Sequence, residues 1–218
     1  MSLKKIFYKL TSKKKYQIFK SNLVHESRLK ILKAGFENEI NQIHTRLKKK
    51  EISFLHSGHL GDVINALPII KELSKNHKCN LYLQIDKPLE DHAIGYKHDN
   101  DKIYMSKRMV KMIMPLLKKQ TYINKVEIFK SQTVDIDLDL FRKIPMNFNL
   151  DEVRWYFHLT GVHTDLTKQY IFVEPHSVIK NKIVIMRSTR KKNLFINYKF
   201  LAKYENVLFI GLEDEYVD

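Results

Sequence analysis

The residues of this chain best suited to chemistry lie in one short segment, His56 to Pro68. It contains two glycines, Gly58 and Gly61, and a carboxylate, Asp62, at the point where a turn passes into a helical pattern. A carboxylate at a helix N-terminus is favoured in its ionised form by the helix dipole, so Asp62 is available as a general base. Capping of the helix is the alternative role for the same side chain. These residues alone leave both roles open.

The elements on either side of this segment predict where it lies in the fold. Residues 52–55 form an apolar run that indicates a buried strand. After the turn, apolar residues recur on one face of a helix, at Val63, Ile64, Leu67, Ile70 and Leu73. A strand, a glycine-containing turn and a helix make up an α/β unit whose helix N-terminus faces the carboxyl edge of a parallel sheet, where ligands bind.

Strands and helices alternate along the rest of the chain. Further strands are predicted over 79–85, 125–129, 134–138, 182–186 and 207–210, and helices over 62–75, 107–118, 151–160 and 195–203. This alternation favours an α/β fold with a mainly parallel, Rossmann-like sheet. We expect a helical arm over 1–50, a Rossmann-like domain over 51–175 and the start of a second Rossmann-like unit over 181–218. Because so short a βαβ opening cannot cover both faces of a parallel sheet, either it completes the sheet of the first domain or the sequence is a fragment, and we expect the fragment.

The positive charge is concentrated in the first 50 residues. The formal net charge is +15, and residues 1–50 hold 14 Lys and Arg against 3 Asp and Glu. Five apolar residues are interleaved with the first lysines: Ile6, Phe7, Leu10, Ile18 and Phe19. This mixture favours a helix on an anionic membrane surface, and a solvated lysine-rich helix is the alternative; nucleic acid could use the same charge.

A second apolar stripe follows within the arm. It comprises Leu29, Leu32, Phe36, Ile40, Ile43 and Leu47 at helical spacing. We expect one helical segment over 23–50 that packs this stripe on the adjacent domain.

Composition excludes several classes of protein. With one cysteine, Cys79, the chain has neither a disulfide framework nor a cysteine-based zinc site, which suits a reducing cytoplasm. No apolar run approaches the ~20 residues of a membrane span. The chain also lacks a Walker phosphate loop and a complete Gly-x-Gly-x-x-Gly, which disfavours a dinucleotide oxidoreductase.

The string Ser57–Pro68 resembles the N-terminal signature of the heptosyltransferase-like glycosyltransferases, which adopt the GT-B fold. Weaker similarity continues at 134–142, 183–190 and 207–216, so the resemblance covers residues 52–218 in patches and leaves the basic arm outside. It implies transfer of a sugar from a nucleotide-activated donor to an acceptor hydroxyl on a cell-surface glycan. In the family the aspartate of the first loop is the general base, and here it matches Asp62.

The resemblance also implies binding roles. The N-terminal domain would bind the acceptor, with Gly58 and Gly61 allowing close approach of the backbone and His59 as a polar contact. Arg187 and Arg190 would stabilise the departing nucleotide diphosphate, with an exposed basic loop as the alternative. No metal or other cofactor and no nucleic-acid partner are expected. The enzyme would be inverting and lie on the cytoplasmic face of a membrane. Because family members continue through further strands, we expect this chain to lack most of the donor site and to have weak or no activity.

Three further constellations carry weaker expectations. His56, His59 and Asp62 are spaced like metal ligands, but the strand end and the turn that hold them disfavour a shared site. The carboxylates Asp135, Asp137 and Asp139 alternate along the predicted strand, which favours one solvated face, with a cation site as the alternative. Arg142 follows that strand at its carboxyl edge, where we expect it to contact an anionic acceptor.

Overall fold

A parallel sheet of four strands forms the centre of the larger of two compact units, Met1–Phe172 and Val173–Asp218. The structure, a computed structural model, describes residues 3–34, 36–89, 103–144, 150–174, 176–186 and 196–211. The strands of the sheet are β1 (Glu51–His56), β2 (Lys78–Leu83), β3 (Lys125–Ile128) and β4 (Ile136–Asp137). The helices of this unit are α1 (Leu3–Thr11), α2 (Lys13–Ala34), α3 (Glu37–Arg46), α4 (Leu60–Leu73), α5 (Lys107–Lys118) and α6 (Glu152–Thr160).

The order of strands in the sheet is β3-β2-β1-β4, and every neighbouring pair is parallel. The chain therefore adds β2 and β3 on one side of β1 and returns to the other side for β4, where Phe54 pairs with Ile136. Such a reversal leaves a crevice at the carboxyl ends of β1 and β4, which is where open α/β sheets bind ligands. The expected α/β architecture with a Rossmann-like parallel sheet is confirmed.

Burial is continuous along β2 and alternates along β1. Ile52 and Phe54 of β1 and Ile136 of β4 are fully buried, and β2 is buried at five consecutive positions. Continuous burial is typical of parallel strands that are covered on both faces. The helix face predicted from the apolar spacing is the buried face of α4, with Val63, Leu67, Ile70 and Leu73 in the core and Ile64 packed against it. This packing fixes the start of α4 at the carboxyl edge of β1.

The single helical segment expected over 23–50 is wrong in one respect, because α2 ends at Ala34 and α3 begins at Glu37. The second half of the predicted stripe does pack on the core: Ile43 is buried, and Phe36, Ile40 and Leu47 lie against it. Leu29 in α2 is exposed instead. The side chain of Leu32 lies outside the described residues.

In two predicted elements the observed secondary structure differs in type from the expected one. The strand expected over 134–138 pairs only at Ile136 and Asp137, and a 3₁₀ helix, Leu138–Arg142, follows directly. In place of the helix expected over 195–203, the described residues form a 3₁₀ helix, Tyr198–Lys203. The smaller unit contains two parallel strands, β5 (Ile183–Ile185) and β6 (Val207–Phe209). Among the helices described, none combines the length and apolar character needed to cross a bilayer.

Candidate functional site

Two loops meet at the carboxyl edge of the sheet, in the crevice between β1 and β4. The first leaves β1 at His56 and enters α4 through Ser57, Gly58 and His59. The second is the 3₁₀ helix after β4, which carries an aspartate and an arginine. An ion pair joins the two loops across 80 residues of sequence, between Arg142 and Asp62. The loop singled out from the sequence therefore lies at the ligand-binding edge of the fold.

Asp62 is held through one of its two carboxylate oxygens. It is the third residue of α4, and its Oδ2 accepts a hydrogen bond of 3.1 Å from the His59 backbone N–H. The same oxygen accepts a hydrogen bond of 2.6 Å from Nη2 of Arg142. No hydrogen bond from the described part of the chain reaches Oδ1, and the side chain is 18% exposed. Asp62 thus caps its helix, and its second oxygen is available to a ligand.

Arg142 bridges two carboxylates. Its Nη2 binds Asp62, and its Nη1 donates to Oδ1 of Asp139 at 2.5 Å. The guanidinium carbon also lies 4.3 Å from the centre of the Phe141 ring and 4.7 Å from that of Tyr104, within cation–π range. Burial opposes the charged form, but Asp139 and Asp62 raise the pKa of Arg142 above its usual value. Four groups therefore fix one cation at the expected carboxyl edge, and its two ion pairs are with this chain's own acids.

Asp139 connects the second loop to the first through hydrogen bonds. It is only 2% exposed, and its Oδ2 accepts hydrogen bonds from the backbone N–H of Ser57 at 2.8 Å and from the Ser57 hydroxyl. Lys87 lies 3.6 Å from the same oxygen. Burial alone would raise the pKa of Asp139, but Arg142, the Ser57 hydroxyl and Lys87 hold it below its usual range. The carboxylate therefore remains ionised although almost no solvent reaches it.

A buried hydrogen-bonded chain runs from the turn to α6. The Gly58 N–H donates to Nδ1 of His56 at 2.9 Å, so the proton of this imidazole resides on Nε2. Nε2 then donates to the Tyr156 hydroxyl at 2.8 Å, and that hydroxyl donates to the Asp62 carbonyl at 2.9 Å. Burial lowers the pKa of His56, which agrees with an uncharged ring. Because His56 is neutral, Arg142 and Lys87 supply the positive charge opposite Asp139.

The two glycines of the turn differ in what surrounds them. A Cβ on Gly58 would lie 2.5 Å from Oδ2 of Asp62, 2.6 Å from Cε1 of His56 and 2.8 Å from Nη2 of Arg142. A Cβ on Gly61 would meet no atom within 4 Å. Gly58 is therefore required by the close packing of the site itself, whereas the space around Gly61 accepts a larger residue.

The expectation that Asp135, Asp137 and Asp139 share one solvated strand face is wrong. Asp135 is buried and accepts from the Ser53 N–H at 2.9 Å and from Lys49 at 2.5 Å. Asp137 caps the 3₁₀ helix by accepting from the Asp139 N–H at 2.9 Å. Its pKa is raised by burial and by the negative charge of Asp139. The three carboxylates thus have three separate structural partners, and the described residues hold no acid or histidine cluster suited to a metal ion.

The remaining predicted residues are divided. His59 is the N-cap residue of α4, and the centre of its ring lies 6.0 Å from that of Tyr104. Arg187 and Arg190 lie outside the described residues. The side chains around Asp62 and Arg142 form one cluster at the edge of the sheet. Sequence reasoning missed four of its members, namely Ser57, Lys87, Asp139 as a partner of Arg142, and Tyr156. The spacing of Asp139 and Arg142 by three residues was a usable signal, whereas nothing local marks Lys87 or Tyr156.

The fold and the cluster together define a Rossmann-like α/β protein with an acidic and basic side-chain network at the switch point of its sheet. Comparison of the chain with protein-family models, with curated proteins and with solved structures finds no match.

Proposed function

We propose that this protein is a heptosyltransferase-like glycosyltransferase in which Asp62 takes the proton from an acceptor hydroxyl. One observation carries the proposal: a carboxylate at the switch point is held through Oδ2 by Arg142 and by its own helix, its side chain is 18% exposed, and its Oδ1 accepts no hydrogen bond from the described residues. A hydroxyl that donates to Oδ1 would be positioned by a group that cannot rotate away. Positioning of this kind lowers the barrier to nucleophilic attack because the reacting groups already lie in contact.

The reaction would be a single displacement. The acceptor oxygen attacks the anomeric carbon of the donor sugar while its proton passes to Oδ1 of Asp62. The bond from that carbon to the nucleotide diphosphate breaks, and configuration inverts. In this scheme Arg142 is a positioning residue, because its Nη2 donates to Oδ2 of Asp62 while its Nη1 donates to Oδ1 of Asp139.

Three features support the assignment beside Asp62. The sheet order β3-β2-β1-β4 brings the turn before α4 and the loop after β4 to the edge where such folds bind ligands. The segment Ser57–Pro68, which carries the family resemblance, forms that edge. The smaller unit begins with a parallel strand pair, β5 and β6, and the proposed donor contacts Arg187 and Arg190 follow β5 in the sequence. The donor would be a nucleotide sugar and the acceptor a glycan or glycolipid at the cytoplasmic face of a membrane.

The test is transfer by the full chain, followed as release of nucleoside diphosphate from a panel of UDP-, GDP- and ADP-linked sugars with simple glycosides and glycolipids as acceptors. Asp62→Asn keeps a capping side chain but removes the base, and we expect turnover to fall by about 10²-fold or more. Asp151→Asn, at an exposed aspartate, is the matched control and should leave turnover unchanged. Retention of more than about a tenth of turnover in Asp62→Asn would exclude Asp62 as the base. Failure of every donor and acceptor to react would overturn the proposed activity.

A further inference from the structure

The first helix leaves its apolar face uncovered. Ile6, Phe7 and Leu10 lie on one side of α1, at spacings of three and four residues, and they are 37%, 60% and 80% exposed. Tyr8, on a different side of the helix, packs edge-to-face on Phe19 of α2, with ring centres 5.8 Å apart. The helix is thus attached through Tyr8 and directs its most apolar residues into solvent. In soluble proteins the apolar stripe of a helix normally faces the core.

Positive charge surrounds this apolar face. Lys4 and Lys9 are exposed on α1, and Lys13, Lys14 and Lys15 are exposed where α2 begins. Residues 1–34 contain ten Lys and Arg against the single acid Glu26, a net charge of +9. An apolar face flanked by lysines is the pattern of helices that lie in the plane of a bilayer interface.

We propose that α1 binds the surface of an anionic lipid bilayer. Phe7 and Leu10 enter the boundary between headgroups and acyl chains, while the lysines of α1 and of the first turn of α2 contact lipid phosphates. A bilayer satisfies both features at once, because it offers negative charge and an apolar phase within one side-chain length. Nucleic acid would use the lysines but would leave Phe7 and Leu10 in water. The proposal rests on the arm alone and does not depend on the function of Asp62.

The test is flotation of the full chain with vesicles of phosphatidylcholine, alone or with about 30 mol % phosphatidylglycerol. We expect binding to the anionic vesicles only. The double variant Phe7→Gln/Leu10→Gln keeps helix propensity and charge, and it should weaken binding by about tenfold or more. Met112→Gln is the matched control, since Met112 is 62% exposed on α5, and it should bind like the unchanged chain. Equal binding by the double variant and the unchanged chain would overturn the proposal.

A second set of variants separates the lysines of α1 from charge in general. Lys4→Gln/Lys5→Gln/Lys9→Gln should reduce vesicle binding strongly, whereas Lys111→Gln/Lys118→Gln/Lys119→Gln removes the same charge from an exposed part of the α5 region and should have little effect. Similar losses in both triple variants would show non-specific attraction and contradict the proposal. Tighter binding to duplex DNA than to the vesicles, unchanged in Phe7→Gln/Leu10→Gln, would assign the arm to nucleic acid instead.

A direct probe of insertion guards against a variant that merely unfolds α1. Leu10→Trp should show tryptophan emission at shorter wavelength on addition of the anionic vesicles, beyond any change seen in the unchanged chain with its single Trp155. The same emission with and without vesicles would mean that position 10 stays in water, which contradicts docking through this face.

Discussion

Asp139→Asn should destabilise the larger unit, because it removes the charge of a buried carboxylate that binds several donors. The carboxylate is 2% exposed, accepts two hydrogen bonds from Ser57 and one from Arg142, and lies 3.6 Å from Lys87. Asparagine has nearly the same shape but no charge, and its amide nitrogen places a donor opposite at least one of these donors. Removal of one partner from a buried ion pair costs about 3–5 kcal/mol. Because Arg142 keeps Asp62 as a second partner, we expect about 2–4 kcal/mol at pH 7.

The loss of stability in Asp139→Asn should depend on pH in a direction that can be tested. The pKa of Asp139 is lowered in the folded protein, so its contribution to stability is fully present above the pKa of an unfolded aspartate. That contribution disappears as the pH falls through the lowered folded-state pKa. The asparagine variant has no such group to protonate. The difference in free energy of unfolding between the two proteins should therefore shrink as the pH is lowered below the ordinary aspartate range.

Urea unfolding followed by the fluorescence of Trp155 measures this difference. Trp155 is the only tryptophan and packs in the core of the larger unit, so its signal reports that unit. Asp151→Asn, at an aspartate whose side chain is 80% exposed, is the control and should change stability by less than about 0.5 kcal/mol. A loss below about 1 kcal/mol for Asp139→Asn at pH 7, or a difference that does not shrink in acid, would refute a buried, ionised Asp139.

Two other changes probe the same network. Gly58→Ala should cost about 2–4 kcal/mol, because its Cβ would lie 2.5 Å from Oδ2 of Asp62. Gly61→Ala lies in open space within α4 and should be neutral or stabilise the protein by up to about 1 kcal/mol. Equal stabilities of the two variants in urea would contradict the close packing at Gly58. Tyr156→Phe removes the hydroxyl that lies between His56 and the Asp62 carbonyl. In the same unfolding assay this variant should lose about 1–3 kcal/mol of stability. An unchanged stability would mean that water replaces the hydroxyl without loss.

The parts of the fold that were predictable are those specified by neighbouring residues. The bounds of α5 match the predicted 107–118, because its apolar stripe is regular and Ser106 caps the start by accepting from the Met109 N–H. The start of α4 was predictable to within two residues, at 62 against Leu60, since a strand, a glycine turn and a helical stripe follow one another without a gap. The site was only half predictable. Asp62 and Arg142 each lie at a readable position, but their pairing joins loops 80 residues apart.

The partners of the buried polar residues could not be predicted from neighbouring residues either, because they too are distant in the sequence. His56 and Tyr156 are 100 residues apart, and Asp135 finds Ser53 and Lys49 at separations of 82 and 86. Nothing near Asp135 in the sequence distinguishes a carboxylate that caps a neighbouring strand from one in solvent. The alternation of acids with apolar residues therefore predicted a solvated face, whereas each acid is fixed by a distant donor.

The error in the predicted length of β4 also explains how the site is assembled. The strand stops because the Asp137 side chain accepts the Asp139 N–H, which offers the backbone a turn in place of a further ladder bond. In a 3₁₀ helix residues three apart lie on the same side, so Asp139 and Arg142 face α4 together. In a continued strand residues three apart point to opposite faces, and Arg142 could not bind Asp62 and Asp139 at once. The cluster at the switch point therefore depends on the turn after Asp137, which the alternating strand pattern did not predict.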